Sequence, residues 1–168
     1  MQTTRISKPA RIHRRPTGRP ATVELRMPGP FDWAASLEMF RRSGDDLLDR
    51  WDGATFLRTM EIDRRIIAIA IAFAGTRTNP VVRVTANNSD YAGAAVAAAR
   101  ATFLPPPRHF VELRRTDPII ARLESRYPGF RPVLQPNLLG ALIRCISAQQ
   151  VNLRWACETR RRLAERFG

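Results

Sequence analysis

The sequence predicts an α+β fold, in which an antiparallel β-sheet carries helices on one face and is followed by a purely helical segment. Between residues 21 and 104 the patterns run strand, helix, three strands, helix, an order that favours an antiparallel sheet. After the prolines at 105–107 only helical patterns remain, so these prolines are interpreted as a linker. Three parts are expected: a disordered basic arm at 1–20, an α+β domain at 21–104 and helices at 105–168.

The first strand and the first helix have clear signals. Residues 21–27 alternate apolar and polar side chains, with Val23, Leu25 and Met27 on one face, which is typical of a strand. A helix is predicted over 32–43 with Asp32 as its N-cap. The following SGDD is interpreted as a turn.

Three consecutive segments then predict neighbouring strands at 53–62, 64–75 and 79–86. The middle segment alternates large and small side chains at every second position, as Ile67, Ile69, Ile71 and Phe73 against Ala68, Ala70, Ala72 and Ala74. Such alternation suits a central strand whose small face allows a helix to approach. The last two strands are expected to form a hairpin across a short turn.

Helices account for the rest of the prediction. An alanine-rich helix over 91–103 follows NNSD, and its nearly uncharged sequence indicates burial against the sheet. Four helical patterns come after the linker, and polar or proline residues mark their starts. These are HFVELRR, PIIARLESR after Asp117 with Pro118 at its first position, LLGALIRCIS after Asn137, and LRWACETRRRLAERF after Asn152, which ends at Gly168.

The charge of the chain indicates a polyanionic partner. The formal net charge is +13, with 28 Lys and Arg against 15 Asp and Glu. Residues 1–20 hold six of these cations and no acid, which leaves +7 on the remainder. An excess of this size is typical of proteins that bind nucleic acid.

The clustered aspartates and the cysteines are interpreted without a catalytic or metal-binding role. The aspartates of SGDDLLDRWDG, namely Asp45, Asp46, Asp49 and Asp52, are interpreted as solvated charge at a helix end and a turn. Cys145 and Cys157 lie in helical, apolar patterns, which indicates a reduced cytosolic protein, and no zinc-ligand spacing is present. No apolar run reaches the ~18 residues needed to span a membrane.

Three stretches carry a resemblance to a known family: PGPFDW at 28–33, DPIIARLESRYPGFRP at 117–132 and LLGALIRCISAQQVN at 138–152. In this order they resemble the alkylbase DNA glycosylases, specifically the DNA-3-methyladenine glycosylase II type of the helix-hairpin-helix superfamily. The resemblance extends from about residue 21 to 168. It departs from the family pattern at Ser147-Ala148, where a small residue and glycine are commoner, and at Asn152, where a hydroxyl cap is usual.

The resemblance implies a TATA-binding-protein-like domain followed by the first helices of a glycosylase domain. It implies removal of alkylated bases from duplex DNA by base flipping and hydrolysis of the N-glycosidic bond. The family places a wedge residue in a tight turn between two helices, and that position falls on Gln150, with Gln149 beside it. The alternative is that both glutamines only bond to the turn backbone.

Further site residues are expected around this turn. Trp33 and Phe40 lie close to where the family builds its aromatic base pocket, although a tryptophan at position 33 is more often a core residue than a pocket residue. Arg154, Arg160 and Arg161, together with Arg162 and Arg166, are candidates for phosphate contacts. The alternative is a solvated helix face on which Glu158 and Glu165 pair with arginines.

The family's hairpin and its catalytic aspartate have no counterpart in the 168 residues. The sequence is therefore interpreted as the front part of such an enzyme, with no catalytic residue in this chain, no cofactor and no metal, and inactive alone. The expected partner is double-stranded DNA with alkylated bases, without membrane association, and the complete protein is expected to be a monomer in the bacterial cytoplasm, associated with the nucleoid. The alternative is a non-enzymatic DNA-binding or regulatory module.

Overall fold

A computed structural model describes residues 18–42 and 44–167, and these residues form the predicted α+β fold. The strands are β1 (Ala21–Arg26), β2 (Asp49–Trp51), β3 (Thr55–Ile62), β4 (Arg65–Gly75) and β5 (Pro80–Ala86). The helices are α1 (Trp33–Arg42), α2 (Ala92–Thr102), α3 (Arg108–Thr116), α4 (Pro118–Arg126), α5 (Leu138–Ser147) and α6 (Leu153–Phe167). Residues 1–17 of the predicted basic arm lie outside the described residues. The predicted helix end at Gly168 also lies outside them.

The strands form one sheet in the order β1-β5-β4-β3-β2, and every neighbouring pair is antiparallel. The prediction that β4 is central is confirmed. The turn between β3 and β4 consists of Asp63 and Arg64, both with positive φ (51° and 60°), as a two-residue hairpin turn requires. Strand β2 was not predicted, because three residues are too few to show a period of two.

The expectation about the two faces of β4 is wrong. Ile67, Ile69 and Ile71 are buried in the core, whereas the alanine face points away from it, with Ala68 exposed and the other alanines half-buried. The small side chains that allow a close approach belong to α2 instead, where Ala95 and Ala99 are fully buried. Since the helix supplies the small residues, the strand supplies the large ones.

The predicted helix caps are confirmed. Each capping side chain accepts a hydrogen bond from a backbone N–H in the first turn, which satisfies a group that the helix itself leaves unpaired. The bonds are Asp32 Oδ1 to Ala35 N (3.0 Å), Asp117 Oδ1 to Ile119 N (2.8 Å), Asn137 Oδ1 to Gly140 N (2.7 Å) and Asn152 Oδ1 to Trp155 N (2.9 Å).

The segment between α4 and α5 returns to the sheet half of the molecule. Gly129 accepts a hydrogen bond from Asp32 N at 2.7 Å, and a Cβ at Gly129 would lie 2.9 Å from that nitrogen, so only glycine fits. The guanidinium of Arg131 is buried and donates to the carbonyls of Pro28, Pro30 and Phe103. The helical half is therefore tied to the sheet, and the division into domains at residue 104 stays a prediction.

Candidate nucleic-acid interface

The turn between α5 and α6 is the part of the chain that the sequence associates with DNA. Helix α5 ends with hydrogen bonds from Ala148 N to the carbonyl of Cys145 (3.3 Å) and from Gln149 N to that of Ile146 (3.2 Å). Gln150 then adopts a left-handed conformation, with φ 58°. This conformation is rare for a residue with a side chain and reverses the chain direction before α6.

Gln149 and Gln150 are both exposed on this turn. Among the residues that the structure describes, neither glutamine side chain has a hydrogen-bond partner. The side chains are thus not used to hold the turn backbone, which was the alternative interpretation. The role of Gln150 as a wedge stays a prediction.

The prediction that Arg160 contacts phosphate is wrong. Arg160 is 5% exposed; its Nε donates to Asp46 Oδ2 at 2.7 Å and its Nη1 to Ser147 Oγ at 3.1 Å. Arg160 lies one helical turn after Ala156, and the two residues form the buried face of α6 together with Cys157. Helical spacing therefore carries this arginine inward.

The other arginines of α6 remain at the surface. Arg161 pairs with Glu165 at 3.0 Å and Arg162 with Glu158 at 2.8 Å, the glutamate pairing expected for a solvated helix face. The hydrogen bond that Arg161 donates to Glu165 holds the pKa of Arg161 above its ordinary value. Arg154 is exposed in the first turn of α6. For Arg154 and Arg161 the phosphate role stays a prediction.

The two aromatic candidates for a base pocket have different surroundings. Phe40 is buried in the core, with its ring centroid 5.4 Å from that of Phe56, and its role in a base pocket stays a prediction. Trp33 is half-buried and stacks on Phe73 at 5.6 Å with an angle of 12° between the rings. One face of Trp33 is therefore covered, and its pocket role stays a prediction.

The interpretation of the aspartates as solvated charge is wrong for two of the four. Asp45 and Asp52 are exposed, but Asp46 and Asp49 are only 2% and 4% exposed. They form a buried charge cluster with three arginines: Arg58 of the neighbouring strand β3, and Arg144 and Arg160 of the helices α5 and α6. Buried charges are tolerated when they are paired in this way.

The contacts within the buried charge cluster are specific. Asp46 Oδ2 accepts from Arg144 Nη1 at 3.0 Å and from Arg160 Nε at 2.7 Å. Asp49 accepts from Arg144 Nη2 at 2.6 Å through Oδ2 and from Arg58 Nε at 2.5 Å through Oδ1. A signal for the cluster was present in the sequence, because Arg144 interrupts an otherwise apolar helix and a partly buried arginine needs an acceptor.

The electrostatics of Asp46 follow from these contacts. Burial acts to raise its pKa, but the hydrogen bond from Arg160 and the charge of Arg144 outweigh burial and hold the pKa below its ordinary value. The same cluster affects the Cys157 thiol, whose pKa is raised by burial and by the charge of Asp46. Asp46 is thus an ionised acceptor and not a proton donor at neutral pH.

Apolar side chains are exposed along the helical half. None of the residues of α3, α4 or α5 is fully buried. The exposed apolar residues of α4, α5 and α6 are Ile119, Leu123, Leu138, Leu139, Leu142, Ile146, Leu153, Trp155, Leu163 and Phe167. Within the described part of the chain, no helix combines the length and the apolar character that crossing a membrane requires.

The antiparallel sheet with helices on one face, followed by the helices α3 to α6, is a fold that a solved DNA glycosylase also has. The structure matches the 3-methyladenine DNA-glycosylase from Archaeoglobus fulgidus with a TM-score of 0.73 and 17% sequence identity. The match covers 87% of this chain and 51% of that chain, so this chain spans about half the length of that protein. No family model matches the sequence, and no curated protein matches it. At this identity the likeness shows the fold alone.

Proposed function

We propose that this chain is the DNA-engaging front part of a base-excision repair enzyme, a DNA N-glycosylase that hydrolyses the N-glycosidic bond of alkylated bases of the 3-methyladenine type. In this proposal none of the 168 residues is catalytic. The chain contributes the surface that meets the duplex and the side chain that occupies the space left by a flipped base.

The observation that carries the proposal is the geometry of Gln150. It is an exposed residue with φ 58° at the tip of a turn between two helices. A left-handed conformation costs a residue with a side chain about 1–2 kcal/mol relative to glycine. A glutamine in that position, with its amide free of partners among the described residues, indicates a use for the side chain outside the fold.

An amide suits the wedge role on chemical grounds. Flipping a base costs a few kcal/mol of lost stacking and pairing, and a side chain that fills the gap recovers part of it. The minor-groove edges of the bases offer acceptors, and guanine adds a donor. A glutamine amide carries two donors and one acceptor group, so it bonds to whichever base is left behind.

The charge of the chain supports duplex DNA as the partner. The net charge is +13, and Arg154 and Arg161 are exposed on the helix that follows the turn. Binding through phosphates positions a protein without reading sequence, which suits a search for scattered lesions. We further propose that the protein is cytoplasmic and associated with the bacterial nucleoid, and that the complete protein acts as a monomer.

The test compares binding to two duplexes of the same sequence, one intact and one with a central tetrahydrofuran abasic site. Wild-type chain is expected to prefer the abasic duplex, because the space for Gln150 is already open there. Gln150→Ala is expected to bring the ratio of the two dissociation constants close to one. Arg154→Ala is the matched control, which is expected to weaken both complexes and to leave the ratio unchanged.

A non-enzymatic DNA-binding module is the second candidate. The carboxylates of Asp46 and Asp49 are already paired with arginines of α5 and α6. They are therefore not free to take part in a reaction, which favours this candidate. The same assay separates the candidates. A module that only binds duplex would show equal affinity for the intact and the abasic DNA, and that result would overturn the glycosylase proposal.

A further inference from the structure

Helix α5 has few contacts that fix its position. None of its residues is buried, and its main helical neighbour is α6. Among the described residues, the hydrogen bonds from α5 side chains to the sheet half come from Arg144, which donates to Asp46 and Asp49 and whose guanidinium carbon lies 5.3 Å from the Phe40 ring centroid. Since no residue of α5 is fully buried, these charged contacts contribute to the orientation of the helix.

The two helices that flank the glutamine turn each donate a hydrogen bond to the same oxygen atom. Arg144 precedes the turn and Arg160 follows it, and both donate to Oδ2 of Asp46. Arg160 also donates to Ser147, the last residue of α5, at 3.1 Å. One carboxylate oxygen thus joins the two sides of the α5–α6 turn.

Asp46 is itself held rigidly by the loop before β2. Its Oδ1 accepts the backbone N–H of Leu48 at 3.1 Å and of Asp49 at 3.3 Å. Asp49 in turn binds Arg58 of β3, and Arg58 donates to Thr102 of α2 at 3.0 Å. An unbroken chain of hydrogen bonds therefore runs from the sheet and α2 to the α5–α6 turn.

We propose that Asp46 is a positioning residue for DNA engagement, which sets the orientation of the α5–α6 turn through Arg144 and Arg160 and so determines where Gln150 meets the duplex. What Gln150 does there rests on the proposed function. The positioning itself is a property of the free protein. Asp46 touches neither DNA nor any reacting atom.

The positioning is tested first without DNA, by hydrogen exchange measured on peptides. Asp46→Asn keeps the shape of the side chain and removes its charge. It is expected to speed exchange of the α5 amides and of the first turns of α6 more than exchange in peptides from β4 and β5, where only the lower global stability acts. Asp45→Asn, which alters an exposed neighbour paired with Arg50, is the matched control and is expected to leave all peptides unchanged.

A milder variant covers the case in which Asp46→Asn does not fold. Ser147→Ala removes one acceptor of Arg160 and leaves every ion pair of the buried charge cluster in place. It is expected to speed exchange at the end of α5 and the start of α6, to a smaller extent. Unchanged α5 and α6 exchange in whichever of these variants folds would overturn the positioning role.

The second test asks whether Asp46 acts through Gln150. The preference for abasic over intact duplex is measured for wild type, Asp46→Asn, Gln150→Ala and the double variant. Each single variant is expected to lose the preference, and Asp46→Asn is expected to change nothing further in the Gln150→Ala background. Independent, additive losses would overturn the inference. A wild-type chain without any preference would instead contradict the proposed function, and the exchange measurements would still decide the positioning.

Discussion

The Nε of Arg160 lies 2.7 Å from the Oδ2 of Asp46, although 114 positions separate the two residues in the chain. Both side chains are at most 6% exposed. The contact joins the last helix to a loop beside the sheet, so it connects the strand-rich first half with the helical second half. It also removes Arg160 from the surface on which DNA would bind.

Removal of the Asp46 charge should destabilise the fold substantially. Asp46→Asn leaves Arg144 and Arg160 without their shared carboxylate, and the loss of one partner from a buried pair costs about 3–5 kcal/mol. Urea unfolding with the slope held constant measures the difference. Asp45→Asn, at an exposed ion pair, should cost no more than about 1 kcal/mol, and equal effects of the two substitutions would contradict this account.

The same carboxylate should make stability depend on acid pH. The pKa of Asp46 is lowered in the folded state, so its stabilising contribution is present above the unfolded-state value of about 3.9 and is lost as the pH falls through the lower, folded-state value. The unfolding free energy of the wild type should therefore decline below about pH 4. Asp46→Asn should have a flatter acid limb, and parallel limbs would show that this carboxyl is not ionised when folded.

Gln150 should lower the stability of the turn slightly and be needed for the abasic preference. Gln150 has φ 58°, and replacing it with glycine removes a left-handed strain of about 1–2 kcal/mol from the folded state. Glycine also makes the unfolded chain more flexible, which lowers the free energy of unfolding by about 0.5–1 kcal/mol. The melting temperature should stay level or rise with Gln150→Gly and change little with Gln150→Ala. Both variants should lose the abasic preference. A large fall in melting temperature with retained preference would mean that the side chain is structural.

Duplex binding should depend strongly on salt and weakly on sequence. With roughly four to six phosphate contacts, the logarithm of affinity should fall with the logarithm of salt at a slope of about −4 to −5. Deletion of residues 1–20, which carry six cations and no acid, should flatten the slope. Affinity that does not change with salt would exclude phosphate binding as the basis of the interaction.

The polypeptide alone should release no base from methylated DNA. Hydrolysis of the N-glycosidic bond develops positive charge on the sugar, and stabilisation of such charge is usually the largest catalytic contribution. Asp46 and Asp49, the carboxylates joined to α5 and α6, are buried and bound to arginines. Release of 3-methyladenine above the buffer rate, from protein of verified mass, would show that a catalytic group lies elsewhere in this chain.

Local patterns in the sequence were sufficient to predict the secondary structure and the turn. The alternation in β4, the caps Asp32 and Asn137, and the polar break after α5 each depend on residues a few positions apart. The geometry of strands and helix ends is likewise set over a few positions. The predicted elements therefore agree with the structure, apart from the three-residue β2 and the short 3₁₀ helix at Ser89–Tyr91.

The inward face of β4 and the fate of the charged residues were decided only by the tertiary structure. Both faces of β4 are apolar, so alternation could not show that the isoleucines, and not the alanines, meet the helix. Asp46 and Arg160 look like surface residues in their own segments, and their burial depends on a partner 114 positions away. A charge is buried only where the fold brings an opposite charge to it, and no local pattern contains that information.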